Sequence, residues 1–507
     1  MLHTHVMAQA PVGEFVYGKL RYSIKEDAAG EYAEFAGRNY KVGLHGIGYE
    51  NYDTDIVIPK TVSHAGKTYP VRGIGPRAFT EPLKTTSIFI PNTVEYIDST
   101  AFFYYEGGGD HDSKMSLHNR PLILEAGNPY WDSRESCKCL IETATNTIII
   151  GGDKAFIPST VTAISAQAFD EVEFGNLTIP ASVKKFGRYP FRRCRIDSMR
   201  IYAPFEELNT KFLAGCWGIN YIELPSTLKI LGDEVLRYRS FRDIVLPPSL
   251  EVIGNSAFEK CDNLMEVNLP PNVEVIGNRA FSECRNLANV SFPSNLATIG
   301  ESAFSECSNL ANVSFPSNLA TIGERAFESC ERLTSIDLSS CNELREIPRQ
   351  CFSICSSLEK VVLPRNLESM KEQVFFRSLS LRDLTVLAMT PPSIGSTTFH
   401  PGGVLYLVSG IVKLPNQYES VTLHVPKGAK EKYESAEYWS NFKHIEEIPI
   451  SEYNAISPTF SDSSKSVNRK SVNCKSVNCK FLDLTGRRLA APPSKGVYIH
   501  DGKVRVK

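Results

Sequence analysis

The chain has 507 residues, and 42% of them are hydrophobic, which is enough to build a sizeable core. Its 55 Lys and Arg residues nearly balance 57 Asp and Glu residues, giving a net charge of −2, which argues against a dedicated nucleic-acid binder. No apolar run approaches the roughly 18 residues that a membrane-spanning helix requires.

The N-terminal region is predicted to hold a short leader remnant followed by a cap. Ala8-Gln-Ala10 has the small-x-small form of a signal-peptidase site, although no basic segment followed by an apolar run is visible. Residues 1–10 are therefore either the remnant of a signal peptide or an ordinary chain terminus. Residues 11–55, which include Phe15–Ile24, are expected to form strands that cap a stack, because an open edge invites aggregation.

A period of 22–25 residues begins at residue 56 and is interrupted once. Residues 56–102 hold the first repeats, and residues 103–150 form an insert that begins with the flexible loop Gly107–Asp112. Oxygen atoms of Gly109-Asp-His-Asp112 are candidate cation ligands, but the segment lacks the ordered alternation of a calcium loop. We expect a solvated loop there.

Residues 151–400 hold the clearest repeats, and four blocks superimpose at a fixed step of 23 residues. The segment Asn286–Glu301 returns unchanged as Asn309–Glu324. A period this short means that each unit is one turn of a solenoid, which buries its apolar face only against neighbouring turns. The large apolar residue that plugs each turn is predicted at thirteen places: Phe79, Phe102, Phe169, Phe191, Leu213, Leu236, Phe258, Phe281, Phe304, Phe327, Phe352, Phe375 and Phe399.

Each turn is predicted to be built from two short extended pieces. In Leu264–Leu269, Val267 and Leu269 alternate with polar residues, which is a strand signal, and Pro270 ends the strand. A second piece, Val273–Ile276, ends at Gly277, where a tight corner is permitted. This spacing leaves no room for a helix of the usual length of about 11 residues. The fold class is therefore a mostly β solenoid with short return segments of strand, turn or 3₁₀ helix, capped at both ends.

The C-terminal fifth of the chain is predicted to close the stack and then leave it. Residues 401–450 form the closing unit, and residues 451–480, rich in Ser, Asn and Lys, form a disordered linker. Residues 481–507 recover strand alternation, with Asp501-Gly502 placed where a hairpin turns. We expect this tail to be dispensable for folding of the solenoid.

The repeat unit, A-F-x-x-C-x-x-L-x-x-V-x-L-P-x-x-L-x-x-I-G, resembles the BspA-type leucine-rich repeat of Bacteroidetes surface proteins over residues 56–400. The insert segment Tyr130–Cys139 with Ile141–Asn146, and the closing segment Leu423–Gly428 with Tyr438–Phe442, resemble units found in such proteins. The tail is similar to a C-terminal sorting segment, but shorter. The resemblance implies adhesion or ligand binding at a cell surface, without a named ligand.

Signatures of catalysis and of cofactor binding are missing from the sequence. Gly73–Ala78 matches G-x-G-x-x-A only as the repeat's own corner, without the strand-to-helix context of a dinucleotide site. Cys137 with Cys139, and Cys474 with Cys479, do not form a zinc quartet. No cofactor and no metal is predicted.

Seven of the thirteen cysteines recur at the third place after the plug residue. Stacked on successive turns, they point the same way at about the strand spacing, which is wider than the Cβ separation of a disulfide. We therefore expect buried, reduced thiols. The column consists of Cys194, Cys216, Cys261, Cys284, Cys307, Cys330 and Cys355.

An arginine and tryptophan cluster is the strongest candidate for a ligand site. Its members lie one to four places after the plug on three successive turns, so they are predicted to share one edge: Arg192, Arg193, Trp217, Arg237 and Arg239. Guanidinium groups beside an indole suit carboxylate, sulfate or phosphate groups of a ligand. The alternative is a solvated edge with Trp217 packed inward.

The exposed strand positions are predicted to form a second, polar ladder with few aromatic anchors. Its members are Glu223, Asp243, Glu266, Asn268, Asn289, Asn312, Asp337, Lys360 and Asp383. Because strong interfaces usually carry Trp, Tyr or Arg hot spots, the regular middle turns are interpreted as a spacer.

Together these patterns favour a non-catalytic, secreted or surface-exposed scaffold that binds a protein or glycan, with anionic groups suited to the arginine edge. Two alternatives remain at the level of sequence. One is an enzyme with Asp110, Asp112 and Asp132 of the insert as acids, and the other is an intracellular repeat adaptor.

Overall fold

Short strands paired in register build the fold, as the alternation within each repeat predicts. The structure is a computed structural model, and it describes residues 12–18, 20–38, 55–79, 86–105, 112–114, 117, 120–209, 212–213, 215–407, 410–449, 481–483, 488–489, 497–500 and 503–506. The chain divides into a first unit, Met1–Pro204 with Phe212–Glu223, and a second unit, Phe205–Lys211 with Leu224–Lys507.

The first unit begins with a largely antiparallel sheet. Its strands are Val12–Tyr17, Leu20–Asp27, Gly30–Arg38, Thr61–His64, Lys67–Ile74 and Tyr96–Ile97. Strand Lys67–Ile74 pairs in parallel with both Gly30–Arg38 and Tyr96–Ile97, and so joins this sheet to the repeats. The predicted signal-peptide remnant at 1–10 and most of 39–55 lie outside the described residues.

The rest of the first unit alternates parallel turns with the insert. The strands are Ile56–Val57, Ile88–Ile90, Phe103–Tyr105, Asp112–Lys114, Leu122–Leu124, Trp131–Asp132, Cys139–Glu142, Thr147–Gly151, Ala163–Ile164, Phe169–Asp170, Glu173–Ile179, Lys185–Phe186, Phe191–Arg192, Arg195–Ile201 and Tyr221–Glu223. A 3₁₀ helix spans Arg134–Ser136. Within the insert, Thr147–Gly151 pairs antiparallel with Cys139–Glu142 and in parallel with Ala163–Ile164, so it returns the chain to the stack.

The second unit has two strand sets, one on each side of the turns. The longer face strands are Glu266–Asn268, Asn289–Ser291, Asn312–Ser314, Ser335–Asp337, Lys360–Leu363, Asp383–Val386, Thr422–Pro426 and His444–Ile448. The two-residue return strands are Glu207–Leu208, Ile230–Leu231, Val252–Ile253, Val275–Ile276, Thr298–Ile299, Thr321–Ile322, Glu346–Ile347, Ser369–Met370 and Ser393–Ile394. These strands pair in parallel with their neighbours, which confirms the predicted mostly β solenoid.

Among the described residues, both α-helices lie in the closing region of the second unit. The hairpin Pro401–Leu407 and Gly410–Asn416 precedes two α-helices, Gln417–Ser420 and Lys430–Ser435, and the 3₁₀ helix Trp439–Asn441. Asn416 caps the first helix by accepting a hydrogen bond from the Tyr418 N–H. The last strands, Phe481–Asp483, Arg488–Leu489, Val497–His500 and Lys503–Val506, pair with one another. The predicted linker at 451–480 lies outside the described residues.

Stacked phenylalanines form the core of the regular turns, at the plug positions that the repeat predicts. Phe258, Phe281, Phe304 and Phe327 lie ring on ring, with centroids 4.9 to 5.3 Å apart and planes within 8°. Ring pairs at this distance contribute about 0.5–1.5 kcal/mol beyond the burial of their area. The repeated plug therefore fixes the register of each turn on the next.

A column of thiols runs beside the phenylalanines, and the prediction of buried, unpaired cysteines is confirmed for all seven members. Each thiol donates to the carbonyl of the plug residue one turn earlier, as Cys284 does to Phe258 O at 3.1 Å. Ser378 donates to Phe352 O at 2.8 Å from the same place in its own turn. Burial raises the pKa of the Cys261 thiol to about 12, which keeps it protonated.

Candidate functional site

In the first unit, Arg192 and Arg193 bind a buried carboxylate rather than standing free. Strand Phe169–Asp170 pairs with Phe191–Arg192 so that Asp170 lies opposite Arg192. Arg192 donates from Nε and Nη2 to the two oxygens of Asp170 at 3.0 and 2.7 Å, and Arg193 Nη2 lies 3.2 Å from Asp170 Oδ2. The Asp170 side chain is only 1% exposed. Asp170 therefore offsets the repulsion between the two guanidinium groups, without any ligand.

In the second unit, Arg237 is held in the same way. Its Nε and Nη2 lie 3.0 and 3.1 Å from the two oxygens of Glu259, whose side chain is 3% exposed. Arg239, which the sequence places on an exposed edge, is buried with 6% exposure. A ligand role for these four arginines stays a prediction, but three of the side chains are already bound to internal carboxylates, and the fourth is largely withdrawn from the surface.

Trp217 lies on a strand face of the first unit, not packed inward. Its exposed fraction is 55%, and it forms a parallel bridge with Arg195, whose guanidinium carbon lies 5.4 Å from the centre of the indole. Gly215 and Gly218 flank it with φ angles of +67° and +86°, which favour glycine. A Cβ on Gly218 would lie 3.2 Å from Ile196 O. The two glycines thus allow a tight turn that leaves the indole in solvent.

The neighbouring sheet of the first unit continues this surface. Strands Glu173–Ile179, Arg195–Ile201 and Tyr221–Glu223 pair in parallel, with Ser198 opposite Tyr221 and Arg200 opposite Glu223. Ile196, Met199 and Ile201 of the middle strand are buried, and the residues around them are at least partly exposed. Arg200 stacks over the ring of Tyr221, with its guanidinium carbon 5.4 Å from the ring centre, and Tyr221 is 49% exposed.

We call this surface the aromatic face and define it by Arg195, Arg200, Trp217, Tyr221 and Glu223. Sequence reasoning found Trp217 and Glu223 but missed the other three. The signal was present, because Trp217 lies 22 residues after Arg195, which is one turn of the repeat.

Several residues of the polar ladder that was predicted for the second unit lie in rows along paired strands. Their role as a ligand surface stays a prediction. Glu266, Asn289 and Asn312 pair in one row, and Asn268, Ser291 and Ser314 form the next. Lys360 lies opposite Asp383 in a further row, whereas Asp337 lies opposite Val362 and Asp243 lies outside the strands. The exposed side chains of these rows are polar, and no Trp or Tyr stands in the three face strands between 266 and 314.

Of the three acids proposed for an enzyme in the insert, only Asp132 has a described side chain. Asp132 is bound by Arg134, whose Nε and Nη2 lie 3.0 and 2.7 Å from its oxygens. Asp110, and the side chain of Asp112, lie outside the described residues. Gly73–Ala78 runs from a strand into a turn, not into a helix. In the described segments, no group of three or more His, Cys, Asp or Glu side chains is placed to hold a metal ion.

The parallel turns and open outward rows define a repeat protein of the leucine-rich solenoid class. The chain belongs to the BspA-type leucine-rich repeat family: the family model, described as "BspA type Leucine rich repeat region (6 copies)", matches residues 67–107, 162–288 and 274–401. This confirms the family that the sequence resembles. No curated protein gives a significant match to the chain.

Solved structures align with the chain, and the one with a TM-score above 0.5 shares its fold. A leucine-rich repeat protein from Bacteroides ovatus ATCC 8483 aligns with a TM-score of 0.56 and 23% identity over 74% of this chain and 94% of that chain. A leucine rich cell surface protein from Faecalibacterium prausnitzii A2-165 aligns with a TM-score of 0.38 and 20% identity over 88% and 97% of the two chains. Pneumococcal vaccine antigen PcpA aligns with a TM-score of 0.42 and 15% identity over 86% and 99%. Among the residues described, no helix has the length and apolar character needed to cross a membrane.

Proposed function

We propose that this protein is a non-catalytic scaffold, secreted or held at the outer cell surface, that binds a macromolecular partner through outward strand positions. The partner is a matrix protein or a glycan. Solenoids of stacked repeats offer extended surfaces of this kind, because each turn adds one more row of outward side chains. The family membership and the parallel face strands support this proposal.

The observation that carries the proposal is the aromatic face of the first unit. Trp, Tyr and Arg are the residue types that dominate binding energy at interfaces. Trp217 and Tyr221 are about half exposed, although the same turn buries its other large apolar side chains such as Phe212 and Ile222. Exposed rings beside guanidinium groups contribute nothing to the core, so ligand contact is the role that their position favours.

The arginine edge is the weaker place for the same function. An anionic ligand would have to compete with Asp170 for Arg192 and Arg193, and with Glu259 for Arg237. Because both carboxylates are buried, displacing them would leave an uncompensated charge in the interior, at a cost of several kcal/mol.

The full chain, immobilised on an array of matrix proteins and glycans, tests the proposal directly. We expect at least one class of hit that survives competition by an unrelated soluble protein. A matched control is the full chain unfolded in denaturant and diluted on the array, which removes the rows while keeping the composition. Absence of any folding-dependent hit would contradict the function. Protease accessibility on intact cells of the native host checks the location, and exclusive recovery from the cytoplasm would contradict it.

A further inference from the structure

Both aromatic rings of the aromatic face are supported by contacts within the protein. Arg195 covers one side of Trp217 and Arg200 one side of Tyr221, each at 5.4 Å from the ring centre. Both arginines sit on one strand, Arg195–Ile201, whose inward residues Ile196 and Met199 are fully buried. Aromatic side chains have few rotatable bonds, so little conformational entropy remains to be lost when a ligand stacks on them.

The spacing of the rings suits a chain of linked groups. Trp217 lies beside Arg195 and Tyr221 beside Ser198, three positions further along the same strand. Two regular strand steps and the extra residue Asp197 of the register shift separate these positions, which corresponds to about 7–10 Å. This distance exceeds the width of one sugar ring, so each aromatic ring would contact a different unit of an extended ligand.

The charges around the rings are balanced rather than positive. Arg195 lies 3.9 Å from Glu173 and 3.7 Å from Asp197, and Arg200 lies 3.7 Å from Glu223. Two guanidinium groups thus face three carboxylates. A sulfated chain, or an acidic stretch of protein, would meet more repulsion than attraction here.

Hydroxyl groups of a ligand, by contrast, can form hydrogen bonds with the charged side chains of this surface. The ion pairs are long and their members 42% to 53% exposed, so the carboxylates can accept and the guanidinium groups donate hydrogen bonds. Ser198 and Asn176 add a further donor and acceptor in the row of Tyr221. The apolar sides of the rings suit C–H-rich surfaces, as their apolar bodies and polar tips allow.

A protein partner fits this surface less well. The centre of a stable protein interface is apolar and depleted in charged residues. Here charged and hydroxyl side chains, including Arg195, Ser198 and Arg200, lie beside the two rings.

We propose that the aromatic face binds an uncharged glycan chain, with Trp217 and Tyr221 stacking on two of its sugars and the flanking charged groups binding hydroxyls. This inference rests on the proposed binding function and names the ligand class of its best-placed surface.

The test uses the full chain against a panel of neutral polysaccharides, each paired with its sulfated form. We expect binding to at least one neutral member, weaker binding to its sulfated pair, and little change on raising salt, because screening acts on charge attraction. Trp217→Ala and Tyr221→Ala should each weaken binding about tenfold or more, as loss of a central aromatic contact does.

Tyr238→Ala is the matched control. Tyr238 is 56% exposed and stacked by Arg237 at 4.7 Å, but it lies outside the aromatic face. Its loss should leave glycan binding unchanged, and circular dichroism should show that all three variants fold. Unaltered neutral-glycan binding in both ring variants, or binding to sulfated forms alone, would overturn the proposal. A full chain that binds a matrix protein but no glycan overturns this inference and leaves the proposed function standing, whereas a chain that binds nothing overturns both.

Discussion

Replacing Gly323 by alanine should separate two turns of the solenoid. Gly323 donates its N–H to Ile299 O of the preceding turn at 2.8 Å. A Cβ at this position would lie 2.3 Å from Glu301 N and 2.4 Å from Gly300 C, which are backbone atoms and cannot rotate away. Ordinary contact needs about 1 Å more. The two turns must therefore shift apart locally.

The expected cost is that of overpacking, about 1–3 kcal/mol. Gly323 has no positive φ angle, so the cost arises from the contact and not from backbone strain. Lys371 occupies the same place in a later turn, and its backbone N–H donates to Ile347 O at 3.0 Å. The fold therefore accepts a side chain at this place where the local backbone leaves room for it. We therefore expect a destabilised protein, not an unfolded one.

Gly395→Ala is the matched control, because its Cβ would lie 3.3 Å from Glu372 Cγ, part of a flexible side chain. At such a site alanine stabilises by about 0.4–1 kcal/mol, because it restricts the unfolded chain. Urea unfolding followed by circular dichroism measures both variants. A Gly323→Ala midpoint equal to or above that of wild type would refute the reasoning, whatever Gly395→Ala does.

Three further outcomes follow from the buried charges and thiols. Asp170→Asn should lower the free energy of unfolding by about 3–5 kcal/mol, because it strips Arg192 of a buried partner, whereas the exposed Glu171→Gln should cost under about 1 kcal/mol; equal urea midpoints would contradict this. The seven column thiols should resist alkylation in the native state and react after unfolding, so native labelling seen by mass spectrometry, or disulfides between turns, would count against the column. Burial raises the pKa of the Cys355 thiol to about 12 in the folded protein. Below about pH 8.5 the thiol is protonated in both the folded and the unfolded protein, and above that pH it ionises only in the unfolded protein. The free energy of unfolding should therefore fall by roughly 1 kcal/mol per pH unit for each such thiol. A flat unfolding midpoint between pH 8 and 11 would rule this out.

The interior of the solenoid was predictable from the sequence because a fixed period fixes the register. Once Phe258 and Phe281 are one turn apart, the residues three places later are one turn apart as well, and the stacked rings and the thiol column both follow. One substitution within the column also obeys this logic, since Ser378 makes the hydrogen bond that a cysteine makes elsewhere.

The carboxylates that bind the arginines could also be predicted from the fixed period, but only by comparing the residues at the same place in successive turns. Asp170 and Arg192 each follow their plug residue by one place, as do Arg237 and Glu259. Parallel stacking brings such residues side by side, so a carboxylate one turn away neutralises Arg192 and Arg237. Counting arginines along one edge, without the carboxylates that stand in the same column, made that edge look more positive than it is.

The aromatic face was harder to predict because the strands there are irregular. Register shifts near Gly175 change which residues of Glu173–Ile179 and Arg195–Ile201 lie opposite one another. Trp217 can be counted either from the plug Leu213 or from the next strand row, and only the bridge to Arg195 decides between the two. Side-chain direction at such a shift depends on backbone geometry that alternation alone does not fix.

Specific recognition should lie where the repeat is least regular. Residues Asn286–Glu301 and Asn309–Glu324 are identical, so their outward rows present Asn289 above Asn312 and Ser291 above Ser314. A ligand that bound one of these turns would bind the next equally well, displaced by one strand spacing of about 4.8 Å. Such rows make the solenoid longer, but they offer no unique binding position. The aromatic face has no copy among the regular turns, so a ligand that bound there would have a single binding register.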